Sequence, residues 1–313
     1  MKWGLLGLES LASTRRNRTL GVAPVVRVFN ELAVPGLGNA WFGRQIVLAL
    51  LGIDLAASAR EQGRPVTNIA AATGVEALAV WWTYEKRVGW AERAARLPGF
   101  RKLRRKKNKP PTFAEASSRS FYVVQPMRIG TLDPLAAFGL VDAPSRRFNG
   151  YSVSSRGEAL LEQACPEARK KLKAWVCGGQ LPRKNKTTID EINPRQPLAT
   201  PAADILRDGF LSGAPDDRAR RAAALRWVSA MQARETGHEN WDERPAEITE
   251  AHWQDMRAGA RFGFLLSAAG SVDTGSLLDH AEAALGQDSA REIAIADLPK
   301  RVPVAAIEDV RER

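Results

Sequence analysis

The sequence predicts a mainly α, multi-domain helical protein with a small β-hairpin near its centre. Three observations point there. Apolar residues recur at helical spacing over long stretches, one short stretch alternates instead, and two Pro-rich basic segments divide the chain. At 313 residues, with 44% hydrophobic and 26% charged residues, the composition is that of a globular protein with room for two or three domains. The expected divisions are a basic helical region at 1–110 ending in a basic linker, a hairpin-containing module at 111–180, and an acidic helical domain at 181–313.

Taken in order, residues 1–40 read as irregular, with a basic patch at Arg15, Arg16 and Arg18 and a short strand at 25–29. Asn39 opens a helix to about residue 59, with Trp41, Ile46, Leu50, Ile53 and Ala57 along it. Gln62-Gly63-Arg64-Pro65 breaks that helix. A second helical stretch covers 67–97. Its Thr67-to-Val75 segment has the Ala-then-Gly-Val rhythm of a helix-turn-helix, while Val80-Trp81-Trp82 reads as core, so a buried helical hairpin is the favoured arrangement.

Seven basic residues in the nine of 101–109, followed by Pro110-Pro111, mark a linker or exposed edge. A second connection is expected at 183–201. Three tail helices follow: one from Pro215 to about 234, one capped by Thr249 and running to about 270, and one from Thr274 to about 286.

The central stretch carries most of the information. A short helix over 131–138 presents Leu132, Leu135 and Phe138, and Gly139 stops it. Leu140-Val141 begins a strand, 145–150 turns, and Tyr151 and Val153 return. Ser154 then caps a helix whose Ala159-Leu160 pair packs under the hairpin.

Helix, Gly-Leu-Val, hairpin, Ser cap and helix together resemble the back half of winged-helix DNA-binding domains, especially the MarR and PadR types, over about residues 113–165. A structural β-hairpin joining two helices is the alternative. The two helices that should precede the recognition helix are not evident in 112–128, and Pro134 allows only a short one.

The resemblance implies DNA-contacting roles. Arg128 and Thr131 would lie at the start of the helix facing the major groove, where Asp133 opposes phosphate. Arg146, Arg147 and Asn149 would form the tip of the wing. The adjacent Arg101, Lys102, Arg104, Arg105, Lys106 and Lys107 would hold a neighbouring stretch of backbone by counterion release.

Charge agrees with a polyanion partner. Residues 1–200 hold 32 Lys+Arg against 15 Asp+Glu, a net of +17, whereas 201–313 hold 14 against 20, a net of −6. The front suits nucleic acid, DNA before RNA, and the acidic back suits a protein partner.

The longest apolar run, 46–53, is far short of the roughly 20 residues that cross a bilayer. Glu9 and the arginines after it break the pattern of a secretion signal, so a cytoplasmic protein without membrane contact is expected. Cys165 and Cys177 are expected as reduced thiols.

No cofactor or metal motif is evident. Pro35-Gly36-Leu37-Gly38 lacks the third glycine of a dinucleotide turn, and there is no phosphate loop. The expected function is a non-enzymatic DNA-binding subunit of a prokaryotic multi-protein complex, with anti-phage defence or mobile elements as settings. Two alternatives stand beside it: a dimeric winged-helix transcriptional regulator, and a metal-dependent nuclease built around His238, Glu239 and Asp242.

Overall fold

A computed structural model of the chain describes residues 22–85, 97–99, 102–103, 110–119, 121–145, 147–234, 241 and 243–269. Among them the protein is mainly helical with a small two-stranded antiparallel sheet. The chain forms two compact units, one of residues 30–257 and one of Met1–Phe29 with Ala258–Arg313. No helix among the described residues is long and apolar enough to cross a membrane.

The first helix, α1 (Val22–Ala33), replaces the strand expected at 25–29. Val25, Val26, Val28 and Phe29 favour strand individually. However, Val26, Phe29, Asn30 and Ala33 fall on one partly buried helical face, while Val25, Arg27, Val28 and Leu32 are exposed. Helical periodicity outweighs β-propensity here. Within the unit of chain ends, the ring of Phe29 lies 5.4 Å from that of Phe262.

The unit of residues 30–257 is organised by α2 (Gly43–Glu61) and α3 (Asn68–Glu85), the buried helical hairpin expected from the sequence. α2 is buried nearly all round, which is why its apolar pattern shows no single stripe. The two helices touch at backbone level: a Cβ at Gly52 would fall 2.3 Å from the Cα of Ala72. Only glycine permits that approach.

Buried polar groups on α2 are all consumed. Arg44 donates to the carbonyls of Ala164 at 2.8 Å and Glu191 at 2.7 Å, and Asp54 takes a two-point pair from Arg169 at 2.9 and 2.6 Å.

After α4 (Phe113–Ser117), closed at its start by a Thr112–Glu115 capping box, a 3-10 turn at Met127–Thr131 leads into α5 (Leu132–Ala137). Gly139, at φ +64°, ends the helix as expected. Strands β1 (Val141–Asp142) and β2 (Ser152–Val153) pair Val141 with Val153 and Asp142 with Ser152. Ser154 then caps α6 (Ser155–Ala164): its Oγ accepts from the Gly157 amide at 3.1 Å and donates to the Gly139 carbonyl at 2.7 Å. Gly157 is required beneath the hairpin, because a Cβ there would lie 2.2 Å from the Leu140 carbonyl.

The remaining helices are α7 (Pro166–Val176), α8 (Lys186–Ile192), α9 (Thr200–Phe210), α10 (Pro215–Arg234) and α11 (Glu250–Ala269). The tail helix expected at 274–286 lies outside the described residues. One core cluster draws on residues from Ile46 to Ala202. A smaller one joins Trp227, Trp241 and Trp253, with Trp241 stacked on Trp253 at 5.2 Å and Trp227 edge-on to both. Beside it, buried His252 meets the carbonyl of Ala33 through Nε2 at 2.7 Å, and burial holds its pKa below the ordinary histidine value.

Candidate nucleic-acid interface

The expected interface has three parts, and the fold treats each differently. The basic run contributes least to the described structure: Arg101, Arg104, Arg105, Lys106 and Lys107 lie outside the described residues. Lys102 is exposed, with Leu103 buried next to it. The end of the segment is well anchored. The Pro111 carbonyl accepts from the indole of buried Trp175 at 3.3 Å, and Phe113 stands edge-on to that indole at 5.3 Å.

The second part, the start of the expected recognition helix, is turned inward. Thr131 is fully buried and its hydroxyl donates to the Arg128 carbonyl at 2.7 Å. Arg128 reaches α3, where its Nε donates to Thr73 Oγ1 at 3.0 Å, and its guanidinium lies 5.6 Å from the centre of the Phe148 ring. Burial lowers the guanidinium's pKa, and Glu76 partly restores it.

Glu76 is the reason for this orientation. Its carboxyl group, buried on α3, accepts from the amides of Met127 at 2.5 Å and Arg128 at 2.9 Å. Burial pushes it up to about 7, against the pull of those two amides and of the Arg128 charge. Leu135 and Phe138 are fully buried, as expected, so α5 faces the core.

The third part, the hairpin tip, is turned outward on a rigid base. Phe148–Gly150 forms a 3-10 turn with Phe148 buried and Arg147 exposed. Arg146 lies outside the described residues. Asn149 does not point wholly to solvent: its Oδ1 accepts from the amide of Ile69 at 3.0 Å and so caps the first turn of α3.

Asn68 completes the attachment. Fully buried, it donates through Nδ2 to the carbonyls of Phe148 at 2.9 Å and Tyr151 at 2.8 Å. Its Oδ1 accepts from Arg60 at 3.0 Å, and Arg60 also donates to the Val66 carbonyl at 3.0 Å.

The residues that hold this site, Asn68, Glu76 and Arg60, carry no motif. The available signal was a polar residue within an apolar helix, since a buried Asn or Glu must find partners. The Pro35-Gly36-Leu37-Gly38 segment is explained by packing: a Cβ on Gly36 would meet Ala137 at 2.5 Å, and one on Gly38 would meet the Gly130 carbonyl at 3.0 Å.

Among the described residues no group of three or more His, Cys, Asp or Glu is placed to hold a metal ion. His238, Glu239 and Asp242 lie outside them. Both cysteines are free thiols, and burial pushes Cys165 up to about 12. No protein-family model matches the chain, and neither a curated protein nor a solved structure matches it.

Proposed function

We propose that the protein binds DNA through its phosphate backbone, with the tip of the β-hairpin as the leading contact, as a non-enzymatic subunit of a larger assembly. The observation that carries this reading is the attachment of the tip. Arg147 is exposed on a turn whose neighbours, Phe148 and Asn149, are bonded to the first turn of α3. A cation held on a rigid base loses little conformational freedom on meeting a phosphate.

The charge map supports it, with +17 over residues 1–200 and −6 over 201–313. Arg128 and Thr131 then lie behind the interface and serve stability, Arg128 through Thr73 and the Phe148 ring. Binding of this kind follows backbone shape and charge, with little reading of base sequence. The acidic C-terminal third is left to a protein partner.

A salt-titrated anisotropy measurement with random-sequence duplex DNA tests the reading. Affinity should fall steeply with salt, and Arg147→Glu should weaken it with an unchanged far-UV spectrum. No binding by the wild-type chain at low salt, or an Arg147→Glu variant that binds equally well, would sink it.

A further inference from the structure

We infer that the turn between α2 and α3, with Arg64, and the last turn of α7, with Lys173, extend the hairpin tip into one composite face for the phosphates of a DNA duplex. This rests on the reading above and adds two elements from elsewhere in the chain.

Three contacts bring these elements to one end of the α2–α3 pair. The hairpin is joined to the start of α3 through Asn68 and Asn149. The start of α3 is joined to the end of α2 through Arg60. The end of α7 is joined to the end of α2, where Cys177 Sγ lies 3.5 Å from Gln62 Oε1. Lys173 is one helical turn before Cys177, whose amide donates to the Lys173 carbonyl at 3.2 Å. Arg64 and Arg147 each lie within four residues of the bond between Asn68 and Phe148.

The turn is as firmly held as the hairpin. The Arg64 amide donates to the Ala59 carbonyl at 2.9 Å, and its own carbonyl accepts from Val66 at 2.8 Å. Gly63, at φ +73° with open space around it, makes the reversal. The backbone is therefore fixed while the Arg64 side chain stands exposed, as Arg147 does. Glu61 and Asp142 are exposed acids that flank these segments in sequence.

The chemistry of this end selects a duplex backbone. Binding single strands relies on exposed aromatic platforms for the bases. Among the described residues at this end, Phe148 and Tyr151 are buried, and the exposed large apolar side chain is Ile69 at 38%. One half-exposed isoleucine also gives a membrane surface nothing to grip by insertion. What remains is two exposed arginines and a partly exposed lysine on hydrogen-bonded backbone, which suits phosphates and carries no base code.

The test uses the full chain with a labelled random duplex of about 20 base pairs, roughly two turns. Arg64→Glu, Lys173→Glu and Arg147→Glu are compared, with Arg64→Gln as a milder variant and circular dichroism as the folding control. Each reversal should weaken binding about tenfold and reduce the salt slope by ~1 for each phosphate no longer neutralised. If the wild type binds and Arg147→Glu weakens it, but Arg64→Glu or Lys173→Glu keeps wild-type affinity and slope, the composite face is overturned and the hairpin reading stands. If the wild type binds no duplex, the hairpin reading itself falls. Tighter binding to oligo(dT), or to vesicles containing a fifth phosphatidylserine, than to the duplex also overturns the proposal.

Discussion

The short helix after Met127 and the hairpin tip twenty residues later were both expected to meet DNA, yet the fold uses them in opposite ways. The helix start is drawn inward, with Thr131 fully buried and Arg128 spent on Thr73 and the Phe148 ring. The tip is held from below and turned outward, with Arg147 exposed above a buried Phe148. The difference comes from the partners that α3 offers. Glu76 takes the backbone amides of one segment, while Asn68 takes the backbone carbonyls of the other. A buried carboxyl group next to an arginine pulls the cation in. A buried amide bonded to carbonyls leaves the neighbouring arginine facing water.

The contrast is sharpest in what each residue should cost on removal. Asn68→Ala strips two buried carbonyls of their donor and should lower stability by about 3 kcal/mol in urea unfolding, on the scale of buried unsatisfied groups. A decrease under about 1 kcal/mol would mean that the hairpin holds itself.

Arg128→Ala should cost about 2 kcal/mol, through the Thr73 bond, the Phe148 ring and the cation beside Glu76. DNA affinity of the folded fraction should stay within about threefold. If affinity instead fell with stability unchanged, the division between inward and outward segments would be broken.

The pH dependence should carry the signature of Glu76. Its folded value, near 7, lies above the ordinary 4.5, so the folded state holds an extra proton between those limits. The resulting stability is fully present below about pH 4.5 and is lost as pH rises through about 7. Its amplitude should be about 3 kcal/mol, on the scale of 1.36 kcal/mol per pH unit.

His252 works in the opposite sense. Its value is depressed below 6.5, so its contribution is present above that pH and is lost as pH falls through the lowered value. The urea midpoint at pH 8 relative to that at pH 5 should therefore be higher in Glu76→Gln than in wild type, because only the His252 dependence remains. An unchanged difference would show that Glu76 is ionised throughout.

The smallest effects come from one buried hydroxyl and one surface cation. Thr131→Val removes a buried hydroxyl and should cost about 1 kcal/mol. Arg147→Gln should stay within about 0.5 kcal/mol of wild type in stability while weakening DNA binding. A larger drop in stability at Arg147 would place it in the support of the hairpin.

The elements were legible where local chemistry decides them. Gly139 stopping α5, Ser154 capping α6 and the reversal between β1 and β2 follow from residue types within a few positions. The α2–α3 hairpin was legible because two long apolar stretches flank a Gly-Arg-Pro break. α1 is not legible in the sequence, because four β-favouring residues obscure a helical face that only burial selects.

The site was legible in outline alone. Arg147 could be picked as a turn cation, but the inward course of Arg128 depends on Glu76, 52 residues away. The capping role of Asn149 depends on Ile69, 80 residues away. Both partners look like ordinary helix residues in sequence. The meeting of Arg64, Arg147 and Lys173 depends on how three separate segments pack at the end of α2.

The Asn149–Ile69 bond also makes the hairpin a reporter of its own docking. The first amides of a helix have no carbonyl of their own helix to bond, and the acceptor for Ile69 arrives from the hairpin. Its proton is shielded only while the hairpin stays down. The exchange rate of that single amide with deuterium therefore measures how often the hairpin lifts, and bound DNA resting on the tip should slow the exchange.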